Sequence, residues 1–177
     1  MKILSSIFSF LFIALFLSQG VAQQSQVITG PFLVREGVTF DQNTDEPITG
    51  VVQTYYEHGQ LATIENYKDG RRDGVSEVFY YENGNWKRRG NYKAGMRDGL
   101  QEKFYQNGQL QIKEIFIDGQ KNGLREEFHS NGQLRSRQKY KDGKRDGFLE
   151  KYSGLGQFLS KQCFQNDIKA DVSACTP

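Results

Sequence analysis

The chain has 177 residues, with 23 Lys and Arg against 21 Asp and Glu, two His, two Cys and one Trp. That length suits one domain, and a net charge of +2 argues against nucleic acid or an anionic membrane as the main partner. The Cys and His residues form no cluster with metal-ligand spacing. No G-x-S-x-G, Walker loop or dinucleotide fingerprint occurs, so the expected class is binding without catalysis, cofactor or metal.

Residues 1–22 read as a secretory signal peptide. Lys2 supplies a positive start, Ile3 to Leu17 form an apolar stretch of 15 residues, and Gly20-Val21-Ala22 place small residues before a cleavage site. Fifteen residues fall short of the ~20 that a spanning helix needs. No Cys lies near the cleavage site, which argues against a lipoprotein. The mature protein, cleaved near Ala22, is expected in the periplasm or outside the cell. It keeps 22 basic and 21 acidic residues. Residues 23–49 read as an N-terminal capping segment, 50–171 as a repeat array, and 172–177 as a C-terminal tail.

The array is marked by a Gly-containing tetrapeptide that recurs at Gly59, Gly84, Gly108, Gly132 and Gly156, spaced by 25, 24, 24 and 24 residues. A fixed period in this range signals stacked supersecondary units. The five units begin at Gly50, Gly74, Gly99, Gly123 and Gly147, the last one degenerate. Their apolar columns are Val51, Val75, Leu100, Leu124 and Phe148; Tyr55, Tyr80, Phe104, Phe128 and Tyr152; Leu61, Trp86, Leu110, Leu134 and Phe158; and Tyr67, Tyr92, Phe116, Tyr140 and Phe164.

Each half-unit is a short alternating run rich in Tyr, Phe, Val and Ile between turn signals, which predicts strand. Frequent Gly disfavours helix. The expected fold class is all-β: an elongated, twisted antiparallel meander of about ten strands from five 24-residue hairpins. A three-residue loop, Gln106-Asn107-Gly108, pairs Phe104 with Leu110 and places Gly108 in a left-handed position. That register is expected to put Leu100, Phe104, Leu110, Ile112 and Phe116 on one face. The other face, with Gln111, Lys113, Arg135, Arg137 and Lys139, is expected to be mostly polar. The connectors, such as "DGRRDG", are expected to be odd-length turns. The extra residue of the second unit is expected as a bulge between Gly74 and Tyr80.

A single layer cannot bury its own apolar face. The cover could be residues 23–49, the sheet's own curl, a second copy, or a partner protein. Glu77, Glu102, Glu126 and Glu150 fall in or beside one column and are expected to meet Lys or Arg across strands. Asp69, Asp73, Asp142 and Asp146 suit turn chemistry better than calcium, because Arg72 and Arg145 intervene. His58 and His129 read as turn-flanking residues. In an exported chain, Cys163 and Cys175 are expected to form one disulfide pinning the C-terminus.

The segments "FYQNGQL…IFIDGQKNGL" and "HSNGQL…YKDGKRDGF" resemble the bacterial variant of the MORN repeat, as found in YwqK-type proteins described as toxin–antitoxin or immunity components. The resemblance covers about Phe40 to Asn166. It implies an elongated antiparallel sheet with a binding role and no catalytic residues to carry over. An export signal departs from an antitoxin that meets its toxin in the cytoplasm, and points instead to an exported or periplasmic target.

The leading expectation is an exported protein-interaction module. Its partner would dock on an aromatic face centred on Tyr80, Trp86, Phe104, Leu110, Phe128 and Leu134, since aromatic anchors suit hot spots. The alternative is a cell-envelope glycan or lipid binder. One Trp in five units favours packing over sugar stacking, and near-neutral charge argues against lipid.

Overall fold

The computed structural model describes residues 27–175. The secretory leader expected at 1–22 lies outside the described residues. A short β1 (Val27–Ile28) and a hairpin of β2 (Phe32–Arg35) and β3 (Val38–Asp41) precede the array. Its hairpins are β4 (Gly50–Tyr55) with β5 (Leu61–Lys68), β6 (Arg71–Phe79) with β7 (Trp86–Lys93), and β8 (Met96–Phe104) with β9 (Leu110–Ile117). After a short β10 (Gln120–Lys121) come β11 (Gly123–Phe128) with β12 (Leu134–Lys141), and β13 (Lys144–Tyr152) with β14 (Phe158–Gln165). The edge strand β15 (Ile168–Ala170) and a 3-10 turn over Val172–Ala174 close the chain.

All these strands except β2 and β3 form one 13-stranded sheet in chain order. Its pairings are antiparallel but for β1, which runs parallel to β4. The five hairpins thus supply the ten expected strands, and β1, β10 and β15 widen the sheet. The fold is the long all-β meander that the repeat predicts.

The hairpin register is regular. Tyr55 pairs with Leu61, Phe79 with Trp86, Phe104 with Leu110, Phe128 with Leu134 and Tyr152 with Phe158. The Tyr105 N–H donates to the Gln109 carbonyl at 2.8 Å, closing the three-residue loop, and Gly108 has φ 83°.

One step away the facing expectation fails. Lys103 pairs with Ile112, so Gln111 has no opposite residue, and the register shifts in the same place in every hairpin. One extra residue reverses the facing of everything after it. Phe104, Leu110 and Leu100 therefore share one face, while Ile112 and Phe116 lie on the other. Counting alternation straight through the turn missed this bulge.

Two further expectations are corrected. Phe79, not Tyr80, occupies the aromatic column of the second unit. The extra residue sits in the hairpin loop, where the Tyr80 N–H reaches the Asn85 carbonyl, and not between Gly74 and Tyr80. The connectors are even, two-residue turns: Asp69-Gly70, Ala94-Gly95, Asp118-Gly119 and Asp142-Gly143 have positive φ at both residues, as type I′ hairpins require.

Burial divides the faces. Ser76, Glu114, Phe116, Ser136 and Gln138 are all buried and share the face we call inner. There each leading glycine opposes the second aromatic of its unit: Gly50 with Tyr67, Gly74 with Tyr92, Gly99 with Phe116, Gly123 with Tyr140 and Gly147 with Phe164. Gly99, at φ 96°, holds a backbone conformation that other residues rarely adopt, and a Cβ there would meet the Asn91 side chain at 3.3 Å. Arg72, Arg97, Lys121 and Arg145 then cover Tyr92, Phe116, Tyr140 and Phe164, 4.2, 5.2, 5.2 and 4.1 Å from the ring centres. Each such contact contributes about 0.5–1 kcal/mol at an exposed site. This row of rings and cations lets a single layer bury apolar area on its own face.

The β2–β3 hairpin covers the first end of the row. The Thr39 N–H donates to the Gly70 carbonyl at 2.7 Å, and the Gly70 N–H to the Ile48 carbonyl at 2.8 Å. Burial there, together with Glu65, pushes the Tyr67 hydroxyl up to about 12. At the other end Cys163, fully buried, is bonded to Cys175.

Candidate functional site

The outer face carries the candidate contact surface. Its first feature is an apolar stripe beside the hairpin loops, built from the paired residues Tyr55–Leu61, Phe79–Trp86, Phe104–Leu110, Phe128–Leu134 and Tyr152–Phe158. Trp86 is 39% exposed, while Tyr55 and Phe158, toward the ends, reach 59% and 57%. Phe104, Leu110, Phe128 and Leu134 are half-buried. Neighbouring hairpins touch along the stripe: the Trp86 and Phe104 rings lie 5.8 Å apart between centres.

Next to the stripe runs a row of alternating charge. Glu77 pairs with Arg89, Arg89 with Glu102, Glu102 with Lys113, Lys113 with Glu126, Glu126 with Arg137, Arg137 with Glu150 and Glu150 with Lys161. The recurring glutamates thus meet cations across strands. Arg89 donates to Glu102 twice, at 3.0 and 2.7 Å, and its guanidinium lies 4.4 Å over the Trp86 ring. Arg137 donates to Glu150, which Lys161 approaches at 3.4 Å. The Arg137 hydrogen bond holds the Glu150 carboxyl below its ordinary range. On the inner face burial pushes Glu127 up, but Arg125 outweighs it and leaves that carboxyl lowered.

Of the six residues singled out from the sequence, Trp86, Phe104, Leu110, Phe128 and Leu134 come together in this stripe. Tyr80 does not. Its hydroxyl donates to the Phe104 carbonyl of the next hairpin at 2.8 Å. Tyr56 does the same to Phe79 at 2.7 Å and Tyr105 to Phe128 at 2.8 Å. His129 takes the same place, its Nε2 3.2 Å from the Tyr152 carbonyl.

Asn83, Asn107 and Asn131 add a second rung, donating to the carbonyls of Gln106, Ser130 and Gly154. This ladder locks each loop to the next and fixes the spacing of the stripe. The sequence reading passed over it, although Tyr56, Tyr80 and Tyr105 recur with the period. His129 reads as turn-flanking until the next hairpin is placed beside it.

Among the described residues no group of three or more His, Cys, Asp or Glu is arranged to hold a metal ion. What the outer face offers is contact: apolar area at regular spacing, with a charged row beside it.

Comparison with known families matches the MORN repeat variant at residues 48–69, 75–94, 97–118 and 121–142. The fifth hairpin lies beyond the matched residues and keeps the same register. No curated protein matches the chain.

Proposed function

We propose that this chain, which carries four MORN repeat variants, is an exported module that docks a protein partner on its outer face. Repeats of this kind are generally non-enzymatic binding units, and a repeat array presents an extended surface rather than an enclosed pocket. The observation that carries the reading is the half-exposed apolar stripe held at fixed spacing by the hydroxyl and amide ladder. Contiguous apolar area of this kind marks an interaction site.

Trp86, with Phe104, Leu110, Phe128 and Leu134, supplies the anchors. Tyr80 supports them from behind through the Phe104 carbonyl. The charged row beside the stripe sets register and favours a partner with alternating charge. Export is supported by the leader pattern of residues 1–22. The likeness to immunity components supports an exported toxin-like protein as the partner.

The test is capture with the purified protein and two variants. Trp86→Ala with Leu134→Ala should keep the sheet intact and lose at least about tenfold in affinity for the captured protein, since truncating a hot spot costs more than about 1 kcal/mol per residue. Lys141→Ala, at the connector edge, should bind normally. Equal binding by all three proteins would remove the stripe as the docking surface. Capture of a glycan in place of a protein would replace the reading with the envelope-binding one.

A further inference from the structure

The inner face carries a second site. Along its central row, Glu65 opposes Ser76, Ser76 opposes Gly90, Gly90 opposes Gln101, and Gln101 opposes Glu114. Two residues before the second aromatic of each unit, the other hairpins place Glu65, Glu114, Gln138 and Gln162; the second hairpin alone has glycine, Gly90. The backbone does not require it, because Gly90 is not among the residues with positive φ. Gly90 removes a long side chain, and relative to Glu65 and Glu114 it also removes a carboxylate. Gln101 leans over part of the vacated space, its Nε2 donating to the Asn91 carbonyl at 2.6 Å.

What remains is a cavity of about 80 Å³ lined by Ser76, Arg88, Gly90, Arg97, Gln101 and Lys103, among others. Its wall carries Arg88, Arg89, Arg97 and Lys103 against Glu102 and Glu114, and Arg89 is paired with Glu102 at 2.7 Å. Arg88 and Lys103 are direct cross-strand partners, and like charges placed so repel. Arg97 completes the group from the next row. Among the described residues, none of these three cations forms an ion pair. The acids nearby are already engaged: Glu65 by Arg72 at 3.6 Å, Glu114 by Lys121 at 3.1 Å and Arg125 at 3.2 Å, and Glu127 by Arg125 at 2.6 Å.

We propose that this cavity binds a tetrahedral oxyanion, a phosphate or sulfate group presented by a ligand, between Arg88, Arg97 and Lys103. Three cations without an ion pair around so small a volume suit a compact oxyanion. Arg presents the planar fork that such oxygens accept, and Lys adds a point charge. The bound group would also relieve the Arg88–Lys103 repulsion, so binding and the stability of β7 and β8 are linked.

The purified protein is titrated calorimetrically at low ionic strength with inorganic phosphate, sulfate and malonate, the last a carboxylate dianion. One saturable site is expected for phosphate or sulfate, with malonate weaker. Whichever of the two binds tighter assigns the natural ligand to a phosphorylated or a sulfated source. Arg88 and Lys103 are both exposed, so the double variant Arg88→Gln with Lys103→Gln should keep its far-UV spectrum. It should bind about tenfold or more weakly. The pair Lys141→Gln with Lys144→Gln removes the same charge elsewhere and should bind as the parent does. Equal weakening by both pairs reduces the effect to net charge and overturns the site. So does malonate binding as tightly as phosphate, or no saturable heat with either oxyanion.

Discussion

Tyr105 shows how single side chains join one repeat to the next. Its hydroxyl satisfies the Phe128 carbonyl of the following hairpin, a group that the strand pairing leaves to be met at the loop. Tyr105→Phe should cost about 1 kcal/mol in a urea melt, the net worth of one hydrogen bond, with the far-UV spectrum unchanged. Glu150 acts through charge. Arg137 holds its carboxyl below the ordinary 4.5. A depressed folded-state value means that this contribution is present in full above the ordinary value. It is lost as pH falls through the depressed one. Melts of the parent should therefore lose stability as pH is lowered from about 5 toward 3, and Glu150→Gln should show a shallower loss. Identical slopes would mean that the Arg137–Glu150 pair contributes nothing to acid sensitivity.

At the scale of strands and turns, the bulge beside each hairpin loop decides which aromatic is core. Phe116, 4% exposed, lies under Arg97 on the inner face. Phe104 lies half-buried on the outer face. Phe116→Ala should cost about 3–5 kcal/mol, as for a buried ring. Phe104→Ala should cost about 1–2 kcal/mol, because much of its area meets water in the folded state. Denaturant midpoints of the two variants, taken with one common slope, measure the difference; equal costs would contradict the division into faces. The connectors give a gain rather than a loss. Ala94 has φ 48° in a position where three other connectors carry Asp. Asn tolerates the left-handed region better than Ala, so Ala94→Asn should raise stability by about 0.5–1 kcal/mol.

Across the whole molecule, each hairpin touches only its neighbours, and stability is carried from unit to unit. The connector edge repeats the logic of the loop edge: the N–H groups of Gly95, Gly119, Gly143 and Asp167 reach the carbonyls of Arg72, Arg97, Lys121 and Arg145. The ends differ. The β2–β3 hairpin covers one, and the Cys163–Cys175 bond closes the other. That bond spans 12 positions, and loop-closure entropy over such a span stabilises by about 3 kcal/mol at most. Reduction should therefore raise amide exchange in β14 and β15 while leaving β6 to β9 protected. Loss of protection throughout the array would mean that the units melt together.

The period, the strands, the hairpin loops and the pairing of Phe104 with Leu110 are legible in the amino-acid order alone. Each of these is local: a glycine at a left-handed turn and an alternating run of a few residues are read without reference to other units. The same order shows that Glu77, Glu102, Glu126 and Glu150 meet cations, because a fixed period stacks like positions. The facing of Ile112 and Phe116 was decided only by the tertiary structure. The bulge at Gln111 leaves no mark in composition, and a single extra residue moves a whole half-strand to the opposite face. The same holds for Tyr80, whose role depends on the Phe104 carbonyl 24 positions away, and for Gly90, which reads as one glycine among 19 until the Arg88–Lys103 pair stands on one side of it and Arg97 on the other. Hydrophobic pattern fixes which segments are strands. Only the placing of strand against strand fixes which side chains share a space.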